Sequence, residues 1–373
     1  MQFSFTEEQN EHRAMLRRFL EAKSPTAEVR KLMETDAGYD VEVWRQMGRD
    51  LALTGLHVPE EFGGAGFGLV ELGIAAEEVG RALTPTPFFG STVMATSAIL
   101  YAASDAQKRE LLPALAAGEK IATLAAAEPG GGWRADQISM TAAADGDGYR
   151  LTGAKSYVLD GMSAELIVAV AKLKDGALGL FVLDADGEGV RRRSLASMDP
   201  TRKLARIDFD RAPATLLGDP STGTAAYAQA LDAAVICLAH EMAGGAERLR
   251  EDALEYVSMR MQFGRTIASF QVTKHKAADM LLDVELAKSS AYSAASAFDD
   301  GDANATAAAS LAKALGSDVY MQTAIHAVQM HGGIGFTAEN DTQLWFKRAK
   351  QSEVFLGHPD LHRERMIANW SDV

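Results

Sequence analysis

His358 and His362 stand four residues apart, a spacing that lets one helix face present two imidazoles to a metal. No Glu-x-x-His string or third ligand accompanies them. Pro359 with Asp360, Arg363, Glu364 and Arg365 reads instead as a capped, charged helix, so no metal site is expected. Cys237 lies in the apolar string AAVICLAH, where a thiol behaves as a small buried hydrophobe. As the sole cysteine it excludes an internal disulfide framework and a Cys-cluster metal site. Met259, Met261, Met280, Met321 and Met330 are expected in the core or on helix faces.

The balance of charges narrows the partners. Lys and Arg number 37 against 51 Asp and Glu, a net charge of −14. An acidic chain lacks the cationic face that non-specific nucleic-acid binding needs, though a local basic pocket for a phosphate-bearing ligand stays compatible with it. One cysteine points to a cytoplasmic home. The opening string MQFSFTEEQNEHRAMLRRFL carries Glu7, Glu8 and Glu11 and has no apolar h-region, so no signal peptide is expected. The apolar stretches are too short or too alanine-rich to span a bilayer. With 47% hydrophobic residues the chain can bury a sizeable core.

Three kinds of segment must position any site. Residues 1–120 read as helices by period, beginning with Phe5, Leu16, Phe19 and Leu20, then Val41, Val43, Trp44 and Met47. HVPEEFGGAGFG breaks this pattern with Pro59 and a run of glycines. Helix resumes over Val70–Ala82, stops at the TPTP of 84–87, and returns over Asp105–Ala117 before Gly118. Residues 121–222 change to short apolar strings such as YRLTGAKSYVL, LIVAVAKL and LGLFVLDA. Asp-Gly turns at 145–148 and 186–187 separate them, which suggests a sandwich or barrel. Residues 223–373 return to long alanine-rich helices over Ala225–Met261, Ser269–Asp299 and Ala303–Met330, with a solvated loop at 299–305. The expected fold class is α+β multidomain: an N-terminal all-α domain, a central antiparallel β domain and a C-terminal four-helix bundle.

Five strings, in order along nearly the whole chain, resemble the acyl-CoA dehydrogenase family. They are PEEFGGAGFG with EEVGRAL, AEPGGG at 127–132, GAKSYV at 153–158, YVSMRMQFGRTIASFQ at 256–271, and QMHGGIGFTAEN at 329–340. Each alone is weak; together they are specific. The resemblance implies a tetramer of like or unlike subunits binding FAD between them. It also implies oxidation of a CoA thioester at its α–β bond, with an electron-transfer flavoprotein as acceptor.

Residue by residue, the resemblance places Arg260 at the flavin diphosphate, where a guanidinium fork suits the oxygens. Phe263, Gln271 and Gln329 match further contacts, and Gly332 and Gly333 match a loop whose amides approach the cofactor. At the isoalloxazine end the family threonine before Glu-Pro is Ala127. The Gly-Ser-Asp that follows is Gly132-Trp133-Arg134. The stacking tryptophan is Tyr157, and the hydroxyl-bearing threonine two residues on is Leu159. Each lost hydroxyl removes a hydrogen bond worth about 1 kcal/mol. His331, before the glycine pair, is read as a hydrogen-bonding spacer. Arg191–Arg193 fall at a predicted strand end. They are read as a solvated edge that discourages sheet pairing, with CoA phosphates as the other option.

Abstracting the α-proton of a thioester needs a carboxylate base and donors for the developing enolate. Of the two places where the family carries its glutamate, one aligns with Leu356 before Gly357 and the other with Ala234. Neither side chain accepts a proton. Asp232 matches a family aspartate that contacts CoA. Glu241 lies two helical turns, about 10.5 Å, beyond Ala234 and is a candidate replacement base. The other options are an unlike subunit that supplies the base, or a chain that binds acyl-CoA or flavin without turnover.

Overall fold

Helical periodicity before residue 120 becomes α1 (Glu7–Lys23), α2 (Thr26–Met33), α3 (Val41–Arg49), α4 (Leu69–Ala82), α5 (Ser97–Ala102) and α6 (Asp105–Ala116). The computed structural model describes residues 5–371. The outermost residues of the expected first and last domains, 1–4 and 372–373, lie outside the described residues. Local chemistry sets the helix ends. Thr6 and Gln9 close a capping box on α1, Ser104 and Gln107 close another on α6, and Asp40 caps α3. Gly118, at φ +69°, follows α6 in the left-handed region that glycine tolerates.

Seven strands follow: β1 (Ala122–Ala125), β2 (Thr141–Asp145), β3 (Gly148–Leu159), β4 (Leu166–Lys172), β5 (Leu178–Asp184), β6 (Val190–Leu195) and β7 (Leu204–Leu216). Then come the long α7 (Gly223–Met259), a short hairpin of β8 (Met261–Gln262) and β9 (Arg265–Thr266), α8 (Gln271–Asp299), α9 (Ala305–His331), α10 (Thr342–Val354) and α11 (Pro359–Ala368). No described helix is long and apolar enough to cross a membrane.

The chain packs as two compact units. One takes Lys31–Gly68 and Pro85–Ala234. Its strands β4, β2, β3, β7 and β5 pair in succession and β5 returns to β4, so the sheet closes on itself. Neighbours are antiparallel except β1 with β4 and the single bridge Thr141–Lys172. Leu151, Ile167, Phe181, Ile207 and Phe209 fill the interior. β6 pairs only with β7, and its arginines do different work. Arg191 is exposed beside Asp210, whereas Arg192 turns back to donate to the carbonyls of Gly161, Met162 and Ala164. A buried π-helix, Phe88–Thr96, runs into α5; its residues are buried all round and carry no polar stripe for sequence periodicity to detect.

The other unit takes the chain through Arg30, Leu69–Thr84, and from Val235 onward. Small residues let α4 and α7 approach closely. A Cβ at Gly80 would stand 2.2 Å from the Glu241 carbonyl oxygen, and one at Gly244 would stand 2.0 Å from that of Glu77. Beside this notch Glu77, 1% exposed, meets Arg13 at 2.7 Å, the Tyr292 hydroxyl at 2.5 Å and Lys288 at 3.5 Å. Burial opposes its charge, but His240, Arg13 and Lys288 outweigh burial and hold its carboxyl well below the ordinary carboxylate range.

Two side-chain expectations need correcting. Asp299 is not simply a solvated loop residue: it ends α8, and its carboxylate accepts from the amides of Leu69 and Val70, capping α4. Met280 and Met330 are buried, but Met259 and Met261 are 67% and 58% exposed, because α7 ends there and the chain enters the protruding hairpin.

Candidate functional site

Where α7 ends, Phe263 (φ +54°) and Gly264 (φ +74°) reverse the chain between β8 and β9, as a tight hairpin requires. The Ile267 amide then donates to the Arg260 carbonyl at 2.9 Å. This fold-back brings Arg260 beside the first turn of α8. The end of α9 comes alongside, and Gly332, at φ +65°, breaks that helix. The result is a groove of about 580 Å³ whose lining includes Tyr256, Arg260, Thr273, Lys276, Gln329, Gly332 and Gly333.

Charge distinguishes this groove. Arg260 and Lys276 line it and no carboxylate does, in a chain of net charge −14. Among the described residues neither cation has an ion-pair partner. Lys276 Nζ donates to Gln329 Oε1 at 2.5 Å and lies 3.3 Å from His326 Nδ1. An added Cβ at Gly332 or Gly333 would meet nothing within 4 Å, so the backbone there is open to a ligand. His331 stacks on Tyr256 with ring centroids 4.5 Å apart and bonds Ala327, so it acts as a spacer in the wall. A second hollow, of about 650 Å³, lies beyond that wall and carries Asp252, Glu255, Glu339 and Asp341 against a single Arg248. Only the first groove suits an anion.

The structure thus gathers Arg260, Gln329, Gly332 and Gly333. It leaves Phe263 and Gln271 off the groove's lining: Phe263 sits at the hairpin tip, 91% exposed, and Gln271 opens α8 with its amide donating to His275 at 3.1 Å. Lys276 was not picked out from the sequence. Its one readable signal is its place one helical turn beyond the Phe-Gln string.

The second set belongs to the β unit. Ala127 is fully buried, and its carbonyl accepts from Ser156 at 2.9 Å. Tyr157 is 41% exposed at φ +57°, at the bulge where β3 slips against β7. Leu159 is buried, and its carbonyl accepts from Thr123. Trp133 is buried and its carbonyl accepts from Tyr227, while Arg134 pairs with Asp136. A scaffold pair also escaped sequence reading. Lys155, wholly buried, holds Glu128 at 3.1 Å. Burial pushes Glu128 up, but hydrogen bonds from Ser139 and Met140 and the charge of Lys155 prevail and hold its carboxyl at about 2. Burial brings Lys155 down to about 8.

Three family models, described as the N-terminal, middle and C-terminal domains of acyl-CoA dehydrogenase, match residues 6–119, 123–212 and 221–370. The chain belongs to the acyl-CoA dehydrogenase family. It is 34% identical over 89% of its length to acyl-CoA dehydrogenase IpdE2 of Mycobacterium tuberculosis, covering 88% of that protein. Two solved structures share its fold. One is the Tcur3481–Tcur3483 steroid ACAD, at TM-score 0.89 and 29% identity over 97% of each chain. The other is the ChsE4–ChsE5 complex of Mycobacterium tuberculosis, at TM-score 0.91 and 25% identity over 100% of each chain.

As an acyl-CoA dehydrogenase family member, the chain is unusual at the residues aligned with the base. Ala234 is fully buried in α7. Leu356 is 4% exposed at φ +59°, in the turn after α10. That turn is tied down from two sides. Lys313 on α9 donates to the carbonyls of Ser352 and Glu353 at 3.2 and 2.6 Å, and His362 Nε2 donates to the Leu356 carbonyl at 3.0 Å. His358, by contrast, is half-exposed and caps α11, so the two histidines serve separate contacts. Glu241 is 3% exposed and pairs with Arg348 on α10 at 3.0 Å. Asp232 is buried on α7. Cys237 is fully buried, and burial pushes its thiol far up.

Proposed function

We propose that this chain binds FAD as a subunit of an acyl-CoA dehydrogenase that converts an acyl-CoA thioester to the 2-enoyl-CoA. The observation that carries the cofactor assignment is the acid-free groove. Arg260 offers a planar fork to the diphosphate, Gln329 offers an amide, and Gly332–Gly333 leave room for its oxygens. FAD, when bound, supplies the hydride acceptor for oxidation at the α–β bond. The Ala127–Tyr157 face would receive the isoalloxazine of a flavin shared with a neighbouring subunit, with Tyr157 as the stacking ring. The hairpin tip supports such sharing, since a phenylalanine at 91% exposure is a large apolar group awaiting cover.

The base would come from an unlike subunit. Leucine and alanine at both family positions carry no proton acceptor, and Glu241 is sequestered in a buried ion pair. The neighbours named as the Tcur3481–Tcur3483 steroid ACAD and the ChsE4–ChsE5 complex support a two-component arrangement. Asp232 would contact CoA, and an electron-transfer flavoprotein would reoxidise the flavin.

The test is spectroscopic. The purified chain is scanned for flavin absorbance alone and after co-expression with adjacent acyl-CoA dehydrogenase genes, and then titrated with straight-chain and steroid acyl-CoA thioesters. Flavin retention and bleaching only in the mixed assembly supports the proposal. Bleaching by the lone chain would transfer the base to this chain. An assembly that holds flavin without bleaching would make it a silent binding subunit.

A further inference from the structure

Lys276 is the second cation of the groove, and its surroundings are unusual for a lysine of an acidic protein. Both groups that hold its ammonium are neutral acceptors: the Gln329 amide oxygen at 2.5 Å and His326 Nδ1 at 3.3 Å. No carboxylate of the described residues lies within ion-pair distance of it. The other cations flanking this region are compensated: Arg248 by Asp252, and Arg30 by Asp341. An ammonium held by neutral acceptors keeps its full charge while its four-carbon stem loses freedom, so it is pre-organised toward an anion.

The imidazole must take a definite tautomer for this. If Lys276 donates to Nδ1, the ring proton sits on Nε2, which faces the Gln322 amide at 3.1 Å. That amide then presents its oxygen, which a flip of its two ends accomplishes. Burial and the nearby Lys276 charge both keep His326 in its neutral form, against the weaker pull of Asp279 and Asp283.

We infer that Lys276 is an anion-anchoring residue of this groove, oriented by Gln329 and His326, and that it takes a phosphate oxygen while Arg260 takes the diphosphate by its planar fork. The inference rests on the proposed FAD site and adds a residue to it. The division of labour follows from side-chain shape. Guanidinium recognises two oxygens at once; ammonium is a point charge that can follow either phosphate.

The experiment uses the assembled, deflavinated protein and titrates FAD by fluorescence quenching over a range of salt concentrations. Lys276→Met should weaken FAD binding by about tenfold, the loss of one charge-assisted hydrogen bond, and flatten the salt dependence. Lys276→Arg should restore both. Melting of the flavin-free variants, unchanged from the parent, establishes that the fold survives. A Lys276→Met variant that binds as tightly as the parent while Arg260→Ala is weakened overturns this inference and leaves the FAD site standing. If neither variant changes binding, the FAD site itself falls. Weakening with the parental salt dependence would make Lys276 a packing residue and also overturn the inference.

Discussion

Glu241 on α7 and Arg348 on α10 form an ion pair at 3.0 Å with side chains 3% and 4% exposed. They are far apart in sequence, and the pair fastens α10, with the turn bearing Leu356, to the central helix. Removing one partner of such a pair strands a buried charge, at a cost of about 3–5 kcal/mol. Glu241→Ala and Arg348→Ala should each lower the urea midpoint by that order. Replacing both by methionine should recover most of the loss. A wild-type midpoint for both single variants would show that the pair does not bind α10.

Arg260→Ala should lower flavin retention of the assembled protein on gel filtration, with little change in the melting of the flavin-free protein. Arg260 is exposed and without an ion-pair partner among the described residues, so the fold loses nothing with it. Full flavin content after filtration would count against its role.

Lys313 makes stability depend on pH. Burial brings its ammonium down from 10.5 to about 7. The unfolded chain therefore holds a proton that the folded chain releases between pH 7 and about 10.5, and stability rises with pH across that window. The contribution is smallest below pH 7, where both states are protonated. Urea midpoints measured at intervals from pH 7 to 10 should climb in the wild type and climb less in Lys313→Met. Parallel profiles would refute the assignment.

Gly244→Ala tests the notch between α4 and α7. The new methyl would meet the Glu77 carbonyl oxygen at 2.0 Å, a backbone atom that cannot rotate away. Overpacking of this kind costs about 1–3 kcal/mol. The same change at Gly301, in a loop with open space around it, would bear only the left-handed backbone penalty of about 1 kcal/mol. Thermal melting of the two variants should rank Gly244→Ala as the less stable.

Much of the architecture was legible because it is written in local periodicity. The alanine-rich stripes of α7, α8 and α9 run at the helical period, and the Asp-Gly turns at 145–148 and 186–187 punctuate the strands. The family strings likewise marked Arg260, Gln329 and the Gly332–Gly333 turn, because short motifs keep their own spacing. The absence of a carboxylate at Ala234 and Leu356 was also visible, since an aliphatic side chain is inert wherever it points.

Tertiary structure decided what depends on distant residues meeting. The return of β5 to β4, the β3–β7 register and the buried Lys155–Glu128 pair are long-range pairings that no window of sequence contains. Glu241 read as a free acid until Arg348 arrived beside it, and Asp299 read as solvated until α4 began against its carboxylate. Lys276 is an ordinary helix lysine in one dimension. It becomes a groove cation only because the hairpin folds Arg260 back to α8 while α9 brings Gln329 alongside, and charge acts through space rather than along the chain.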